Sequence, residues 1–496
     1  VLEEVGGSMF AGTGAVALDL PALQQVGGQR SVAPGIASLT FDVLDRVHGE
    51  LFVSANSSLL AAPALRIVDG PLTTWIDVRG GLSLPGLETL GGEVHVLGPL
   101  RGLQLDRLVS IGGGIRIDSA SQATLALVLP SLQSIGGDVK MILEDGITSI
   151  ELPQLAHLGG TLQLLDVGAL TKILLPRLVD ITGDVWIAKA NVLVTVDVSA
   201  LDSVVGNFQI DRAPALSLLS VAALREVGQA NPDAHEPSIG LQATALETLD
   251  FTSLQSVAGP ITINEAPKLR TLQFPALTTA TIVSVGGLDA VPVLETLSAP
   301  NLTTVQSLSI NGPVRTLDLG RLTSATSGLF LRGAAVPDLS GLRSLASVGA
   351  LSLAQLDQLH DLRGLVSLHD VRALELVHER GLTSLDGLEA ITELPLDLIV
   401  ENNDALTSLA GLRNVTRVGR TLWLQSNPML AGIGLTGLLT IGGGFSQGGL
   451  FVKFMTALTS LSGLDAVTSV TGEIDFLGND LLSTDAIRAF EQRIGR

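Results

Sequence analysis

Residues 134–141 read Ser-Ile-Gly-Gly-Asp-Val-Lys-Met, and residues 180–187 read Asp-Ile-Thr-Gly-Asp-Val-Trp-Ile. Both octads have an apolar residue, one or two glycines, a variable residue, and then an apolar–variable–apolar run. The same octad returns, altered, from one end of the 496-residue chain to the other. A self-similar unit at a fixed period is typical of a solenoid, in which each repeat contacts only its neighbours.

The apolar residue before the glycines, called the anchor below, recurs in 20 steps from Val5 to Val470, about 23 residues apart on average. Repeats built from two helices are longer, roughly 33 to 47 residues, whereas leucine-rich and β-solenoid coils span roughly 20 to 29. The period therefore favours one β-containing coil per repeat. The anchors are Val5, Val26, Val47, Val68, Leu90, Ile111, Ile135, Leu158, Ile181, Val204, Val227, Val257, Ala280, Val305, Ala325, Val348, Val371, Leu394, Val418, Ile441 and Val470.

Apolar and polar residues alternate twice in many repeats, once after the glycines, as at 185–187, and once upstream, as at 196–198. Each alternation predicts a short strand with one buried face. Eight prolines share one position, five residues before an anchor, where we expect the strand to end at a corner. We expect the glycines after the anchor to supply positive φ at the next corner. These prolines are Pro21, Pro63, Pro85, Pro130, Pro153, Pro176, Pro275 and Pro300.

The pattern predicts a mostly all-β protein, a right-handed parallel β-solenoid of about 21 coils. We divide it into one sub-array at 1–335, a second at 336–480, and a helical cap at 481–496. The boundary near 336 is where proline disappears and glycine appears seven residues before the anchor. Ser483 is a suitable N-cap for a helix at about 484–494.

Two smaller features of the pattern also predict structure. Asn403, Asn427 and Asn479 each lie nine residues after an anchor, where their side chains are expected to bond turn backbone from coil to coil. Two anchor-to-anchor steps are long, and we interpret the extra residues at 228–237 and 442–454 as loops.

Charge and composition narrow the classes of partner. The net charge of −20 disfavours nucleic acid and anionic lipid and favours basic partners. No run reaches the roughly 18 apolar residues of a membrane span, so we expect no membrane insertion. The absence of cysteine excludes disulfides and thiolate chemistry. The sequence indicates no catalytic residue, cofactor or metal.

The repeats resemble two related families. The Leu-x-x-Leu-x-Gly-Leu-x-x-Val repeats of 339–479 are similar to bacterial leucine-rich repeats. The Leu-x-Leu-Pro-x-Leu-x-x-Ile-x-Gly-x-Val-x-Ile coils of 18–310 are similar to receptor L-domains. The resemblance implies an extracellular or cell-surface protein, bacterial in origin, whose exposed strand faces bind or assemble. The cysteine-rich modules of the receptor families are absent from this sequence, which argues against a signalling role.

The outward position five residues after the anchor is the candidate binding surface. Exposed aromatic side chains on a rigid strand face are typical of recognition surfaces. The alternative is that the two tryptophans pack under a loop or on a neighbour. The predicted binding residues are a column of His95, Arg116, Lys140, Gln163 and Trp186, with Trp423 at the same position further along.

These features predict a non-enzymatic protein that mediates adhesion, recognition or extracellular assembly, with a protein or glycan at the cell surface as its partner. The alternative is a β-helix polysaccharide lyase or hydrolase acting on acidic glycans. Such an enzyme would need clustered carboxylates, and the outward position seven residues before the anchor does collect acids. Those acids are Asp19, Glu151, Asp197, Asp250 and Asp318.

The repeat pattern is already present at Val5, the first anchor, whereas the predicted helix covers the last coil. An uncovered coil exposes strand edges to water. We therefore expect either a capping segment before Val1 or self-association through the N-terminal coil. An N-to-N dimer or docking onto a different protein is the expected form of that association.

Overall fold

The computed structural model describes residues 3–11, 17–28, 30–32, 38–54, 60–75, 82–97, 102–118, 125–142, 146–228, 238–286, 291–443 and 448–496. The chain forms two compact units. The first comprises Val1–Glu247 and Phe251–Gly259, and the second comprises Thr248–Asp250 and Pro260–Arg496. The boundary between sub-arrays near 336 lies inside the second unit and stays a prediction.

Each unit is a parallel β-solenoid, as the sequence predicts, because strands one coil apart pair in parallel. The largest sheet of each unit, called the long sheet, holds the strands that follow the glycines. In the first unit these are Met9–Ala11, Arg30–Val32, Leu51–Ser54, Leu72–Trp75, Val94–Leu97, Ile115–Ile117, Val139–Ile142, Leu162–Leu165, Val185–Ala188, Phe208–Ala213 and Ile239–Thr244. In the second unit they are Ile261–Asn264, Thr279–Val285, Thr304–Asn311, Ser324–Arg332, Ser347–Ala354, Asp370–Val377, Leu398–Glu401, Thr421–Gln425, Gly449–Lys453 and Glu473–Asp475.

The upstream alternations form a second set of strands, which the sequence also predicts. The prolines lie just past these strands, as Pro153 does in the turn after Ile147–Glu151. In the first unit the strands are Ala17–Asp19, Ser38–Thr40, Leu60–Ala61, Leu82–Ser83, Leu103–Gln104, Leu125–Val128, Ile147–Glu151, Lys172–Leu174, Thr195–Asp197 and Leu218–Ser220. In the second unit they are Thr248–Asp250, Thr271–Gln273, Thr296–Ser298 and Thr316–Asp318.

In the first unit and in the last four coils of the second, a further strand, not predicted from sequence, contains the anchor itself. These strands are two residues long, too short to show an alternation; they form the anchor sheet of each unit. In the first unit they are Glu4–Val5, Gln25–Val26, Arg46–Val47, Ile67–Val68, Thr89–Leu90, Ser110–Ile111, Ser134–Ile135, His157–Leu158, Asp180–Ile181, Ser203–Val204, Glu226–Val227 and Ser256–Val257. In the second unit they are Glu393–Leu394, Arg417–Val418, Thr440–Ile441 and Ser469–Val470. In the coils anchored at 280 to 371 the anchor lies within the long-sheet strand.

Short helices complete the second unit. Three 3-10 turns are Ser340–Leu342, Arg363–Leu365 and Ala410–Leu412, and the α-helix is Thr484–Arg493. The Ser483 side chain accepts a hydrogen bond from the Ala486 amide, which caps the helix as expected. Phe490 of this helix is 1% exposed and meets Phe476 edge-on at 5.9 Å. The helix therefore covers the last coil, as predicted.

The core of each unit is a stack of aliphatic side chains. Leu132, Leu155 and Leu178 occupy the same place in three successive coils and are at most 1% exposed. Each fully buried leucine contributes about 1.5–3 kcal/mol relative to an exposed one. The repeated apolar positions thus supply the stability of the stack.

One expected loop is partly wrong. Gly449–Lys453 is a strand of the long sheet, paired with Thr421–Gln425, although it lies inside the interval 442–454. The extra residues of that coil precede this strand. Most of the other expected loop, 229–237, lies outside the described residues.

The glycines after the anchor have the expected positive φ in only some coils. In the coils up to Gly206 none of the described ones has positive φ, whereas Gly228, Gly442, Gly443 and Gly472 do. Close approach of the preceding coil explains the glycine at 160, where a Cβ would lie 2.3 Å from Asp138 Oδ1. Glycine is thus required there by contact between coils rather than by backbone conformation.

That contact belongs to a ladder of side-chain-to-backbone hydrogen bonds in the first unit. The Thr161 amide donates to Asp138 Oδ1 at 2.8 Å, and the Asp184 amide donates to Thr161 Oγ1 at 3.2 Å. The Asn207 amide continues the ladder by donating to Asp184 Oδ1 at 2.7 Å. The variable residue after the glycines therefore satisfies a corner amide of the next coil.

A second ladder in the second unit confirms the expected role of the asparagines. The Asn403 amide donates to Asn427 Oδ1 at 3.0 Å, and the Met455 amide donates to Asn479 Oδ1 at 2.9 Å. Glu379 takes the asparagine's place one coil earlier, because both of its carboxylate oxygens accept from the Leu356 amide. This glutamate is 0% exposed, and the sequence pattern did not single it out.

Positive φ is found instead at non-glycine residues near the end of the long-sheet strands. Ten such residues have φ between 49° and 61°. Left-handed backbone costs a residue with a Cβ roughly 1 kcal/mol. The ten are Asp166, Lys189, Arg212, Ala243, Glu265, Gln355, His378, Asn402, Ser426 and Phe454.

Ala243→Gly is expected to raise the free energy of unfolding by about 1 kcal/mol, because glycine adopts this φ of 52° without strain. Urea unfolding measures the change. Ala190→Gly is the matched control, since Ala190 is buried and is not among the left-handed residues. We expect that control to lose about 1 kcal/mol. A loss at Ala243 equal to that at Ala190 would contradict the strain argument.

Candidate functional site

The predicted column of the first unit lies in one row on the outward face of the long sheet. Register pairs His95 with Arg116, Arg116 with Lys140, Lys140 with Gln163, and Gln163 with Trp186. Their strand neighbours point inward and are buried, as Val94 and Val96 do beside His95. The sheet therefore brings all five side chains onto adjacent strands.

Trp186 is the most exposed aromatic side chain of this column, with 42% of its surface accessible. Gln163 and Gln209 occupy the neighbouring strands at the same position. Asp184, Val185, Trp186, Asn207 and Gln209 line a depression of about 270 Å³ beside the ring. Trp186 is thus an open aromatic surface bordered by amide groups, not a ring covered by a loop.

The cationic end of the column is partly neutralised. Arg116 and His95 both contact the Asp118 carboxylate, with His95 Nε2 at 3.2 Å from Oδ2. Burial raises the pKa of Asp118, but hydrogen bonds from Arg116 and His95 outweigh it and hold that pKa below its ordinary value. Lys140 has no ion pair within the described part of the chain. The free cation of this column is therefore Lys140, two strands from Trp186.

Trp423 of the second unit has the opposite environment. Its ring packs on Phe451 of the next strand, with centroids 5.0 Å apart, and Lys453 Nζ lies 5.0 Å from its centroid. Lys453 also pairs with Asp475 at 2.7 Å. The Trp423 indole nitrogen is buried and has no hydrogen-bond partner among the described residues. Of the two alternatives for the tryptophans, exposure therefore holds for Trp186 and packing on a neighbour for Trp423.

A groove on the outward face of the second unit was not predicted from the sequence. We call it the Glu375 groove, because two open depressions, of about 720 and 440 Å³, share this residue. The larger depression is lined by Ser309, Ile310, Asn311, Phe330, Leu331, Arg332, Ser352, Ala354, Gln355, Glu375, Val377 and His378. The smaller depression is lined by Glu375, Asp397, Ile399, Glu401, Arg420, Thr421 and Trp423.

Sequence reasoning missed Glu375 because the segment from the anchor to the outward strand position is one residue shorter here. Ser352 and Glu375 lie in register with Phe330, which is five residues after its anchor, although they lie only four after theirs. Their alignment could have been found from the local alternation of Leu374, Glu375 and Leu376 alone.

The acidic positions weighed for an enzyme do not face one another in register. Glu151 and Asp197 are separated by Leu174 on the intervening strand, and Asp19 pairs with Thr40. Asp250 and Asp318 are separated by Gln273 and Ser298. Among the described residues, no three histidine or acidic side chains are grouped so as to hold a metal ion.

No helix in the described part of the chain is both long and apolar enough to cross a membrane.

No protein-family model matches the chain, and no curated protein matches it. Solved structures that it resembles include an internalin from Listeria monocytogenes, with 15% sequence identity and a TM-score of 0.25. That match covers 58% of this chain and 84% of the internalin chain. A leucine-rich-repeat protein from Leptospira interrogans matches at 14% identity, 66% of this chain, 89% of that chain and a TM-score of 0.23.

A complex of TLR13 with ssRNA13 matches at 14% identity, 85% of this chain, 84% of that chain and a TM-score of 0.16. Likenesses with such low TM-scores transfer no partner or compartment to this chain. The fold is established by the parallel pairing of its strands, which is that of a leucine-rich-repeat-like solenoid.

Proposed function

We propose that this chain is a non-enzymatic interaction protein that binds another protein through the outward face of the long sheet. The observation that carries the proposal is the aligned column ending at Trp186, whose ring is 42% exposed on a paired strand. An aromatic side chain held on a rigid strand loses little conformational entropy on binding and presents a large contact area.

We also propose that the protein is secreted or displayed on a bacterial surface, where it serves adhesion or extracellular assembly. The similarity of its repeats to receptor L-domains and bacterial leucine-rich repeats supports this location. Protease treatment of intact source cells tests it. Loss of the full-length protein before lysis is expected, and complete protection would contradict surface display.

Replacing Trp186 by Ala is expected to weaken binding at least about tenfold, because truncating a central aromatic contact typically has this effect or a larger one. The probes are printed arrays of peptides and of neutral, amino-sugar and uronate glycans, with the whole chain in solution. Val179→Ala is the matched control, since Val179 is 41% exposed and lies outside the long sheet.

Binding to peptides that Trp186→Ala weakens and Val179→Ala does not would support the proposal. Equal binding by the two variants would exclude Trp186 from the interface. If the chain binds glycans and no peptide, the partner is a carbohydrate and the proposal of a protein partner is wrong. Turnover of a uronate glycan that disappears in Glu151→Gln would favour the lyase or hydrolase instead.

A further inference from the structure

The smaller depression of the Glu375 groove has an apolar floor and one aromatic wall. Ile399 lies between Glu375 and Trp423 on three consecutive strands. Strand spacing places the backbones of those two flanking residues about 10 Å apart. Phe451 packs on Trp423 from the following strand, so the side of the ring toward Ile399 lines the depression.

Two carboxylates at this depression have no cationic partner among the described residues. In the described part of the chain Glu401 accepts hydrogen bonds only from amide side chains, those of Asn402 and Gln425, each at 3.1 Å. Glu375 has no ion pair or side-chain hydrogen bond to any described residue. Glu401 lies on the neighbouring strand in register with Val377, which places the two glutamate backbones about 8 Å apart.

The two cations beside Trp423 are already engaged in ion pairs, whereas Arg332 in the larger depression donates to Gln355 at 3.4 Å and pairs with no described carboxylate. The Arg420 guanidinium forms a two-pronged pair with the buried Asp397 carboxylate, in which Nε donates to Oδ1 at 2.7 Å. Lys453, on the far side of Trp423, pairs with Asp475. The smaller depression therefore attracts a cation and repels an anion, in the same sense as the −20 charge of the whole chain.

We propose that this depression binds an arginine side chain of a partner protein, carried on an extended segment with apolar neighbours. The planar guanidinium stacks on the Trp423 ring and donates to the Glu375 and Glu401 carboxylates. Ile399 contacts the methylene stem. Lysine fits less well, because its compact ammonium is more strongly hydrated and does not stack.

An apolar neighbour of that arginine fits the larger depression on the other side of Glu375. There Phe330 is 38% exposed next to the small side chains of Ser352 and Ala354. The site goes beyond the proposed function, because it lies in the second unit and shares no residue with the Trp186 column.

Trp423 itself can report binding. The chain has three tryptophans, so Trp75→Phe with Trp186→Phe leaves Trp423 as the sole indole fluorophore. The probe is a blocked heptapeptide, Gly-Leu-Gly-Arg-Gly-Leu-Gly, titrated against the full chain. We expect a saturable change in Trp423 emission, and we expect Glu375→Gln and Glu401→Gln each to weaken binding at least about tenfold.

Glu393→Gln is the matched control, because it removes the same charge from an exposed residue on the anchor sheet of this unit. It should leave the affinity within about twofold. A heptapeptide with Gln in place of Arg should bind at least about tenfold more weakly, and one with Lys should fall between. Thermal melts establish that each variant is folded.

The proposal fails if Trp423 emission does not respond, if the Gln peptide binds as well as the Arg peptide, or if Glu375→Gln and Glu393→Gln lose equal affinity. Equal losses would indicate general attraction to an acidic surface. Each of these outcomes is independent of the Trp186→Ala array result, so the two proposals can fail separately.

Discussion

Asn403→Ala is expected to lower the free energy of unfolding of the second unit by about 3 kcal/mol. Asn403 is 0% exposed, its Oδ1 accepts from the Glu379 amide at 2.9 Å, and its Nδ2 donates to the Leu376 carbonyl at 3.1 Å. Alanine leaves the Glu379 amide buried without an acceptor, and it leaves a cavity where the amide group lay. Both effects destabilise the stack.

Urea unfolding measures the loss, and hydrogen exchange at the Glu379 amide locates it. Asn414→Ala is the matched control, because Asn414 is exposed and its bond to the Glu389 carbonyl is open to water. That control should lose no more than about 1 kcal/mol. Equal losses for the two variants would show that the ladder adds no more than a surface hydrogen bond.

Glu379→Gln is expected to stabilise the protein by about 3 kcal/mol at pH 8 and to have almost no effect at pH 4. Burial raises the pKa of Glu379 from 4.5 to about 7, against the lowering effect of the Leu356 amide, and Asp357 raises it further. Glutamine keeps an oxygen to accept from Leu356 and has no charge to desolvate.

The direction of the pH dependence follows from proton binding. Between pH 4.5 and about 7 the folded protein holds the Glu379 proton that the unfolded chain has released. The contribution of Glu379 to the stability of the wild type therefore falls as pH rises through this window, and the loss is complete above pH 7. Below pH 4.5 the residue is neutral in both states, so it contributes no difference.

The measurement is the difference in unfolding free energy between wild type and variant across pH 4–8. Carboxyl groups with lowered pKa, such as Glu151 and Asp475, stabilise the fold less at acid pH, and they do so equally in both proteins. Their effect therefore cancels in the difference. Glu393→Gln should give a flat difference, since Glu393 is exposed. A flat difference for Glu379→Gln as well would refute the buried-charge argument.

The candidate site was predictable only where the distance from the anchor to the outward strand position is constant. The steps from His95 to Trp186 vary between 21 and 24 residues, but each residue of the column lies five residues after its anchor, and these positions are neighbours in register. Phe451 is ten residues after its anchor, because its coil carries extra residues before the strand. The ring that packs on Trp423 could not be assigned to its column by counting.

The sequence by itself determined the coil, because each coil repeats the same requirements. Apolar anchors must fill the core, prolines must lie outside the ladders, and asparagines such as Asn403 must meet corner amides. These constraints are local and recur about every 23 residues, so they can be recognised from the sequence alone.

Only the tertiary structure decided which outward side chains are open and which charges are free. Trp186 has a glutamine on the following strand and stays exposed, whereas Trp423 has Phe451 there and is partly covered. Arg420 is neutralised by a buried aspartate, whereas Glu375 forms no ion pair with any described residue. Exposure and charge compensation depend on neighbours one coil away, whose distance along the chain changes with every insertion.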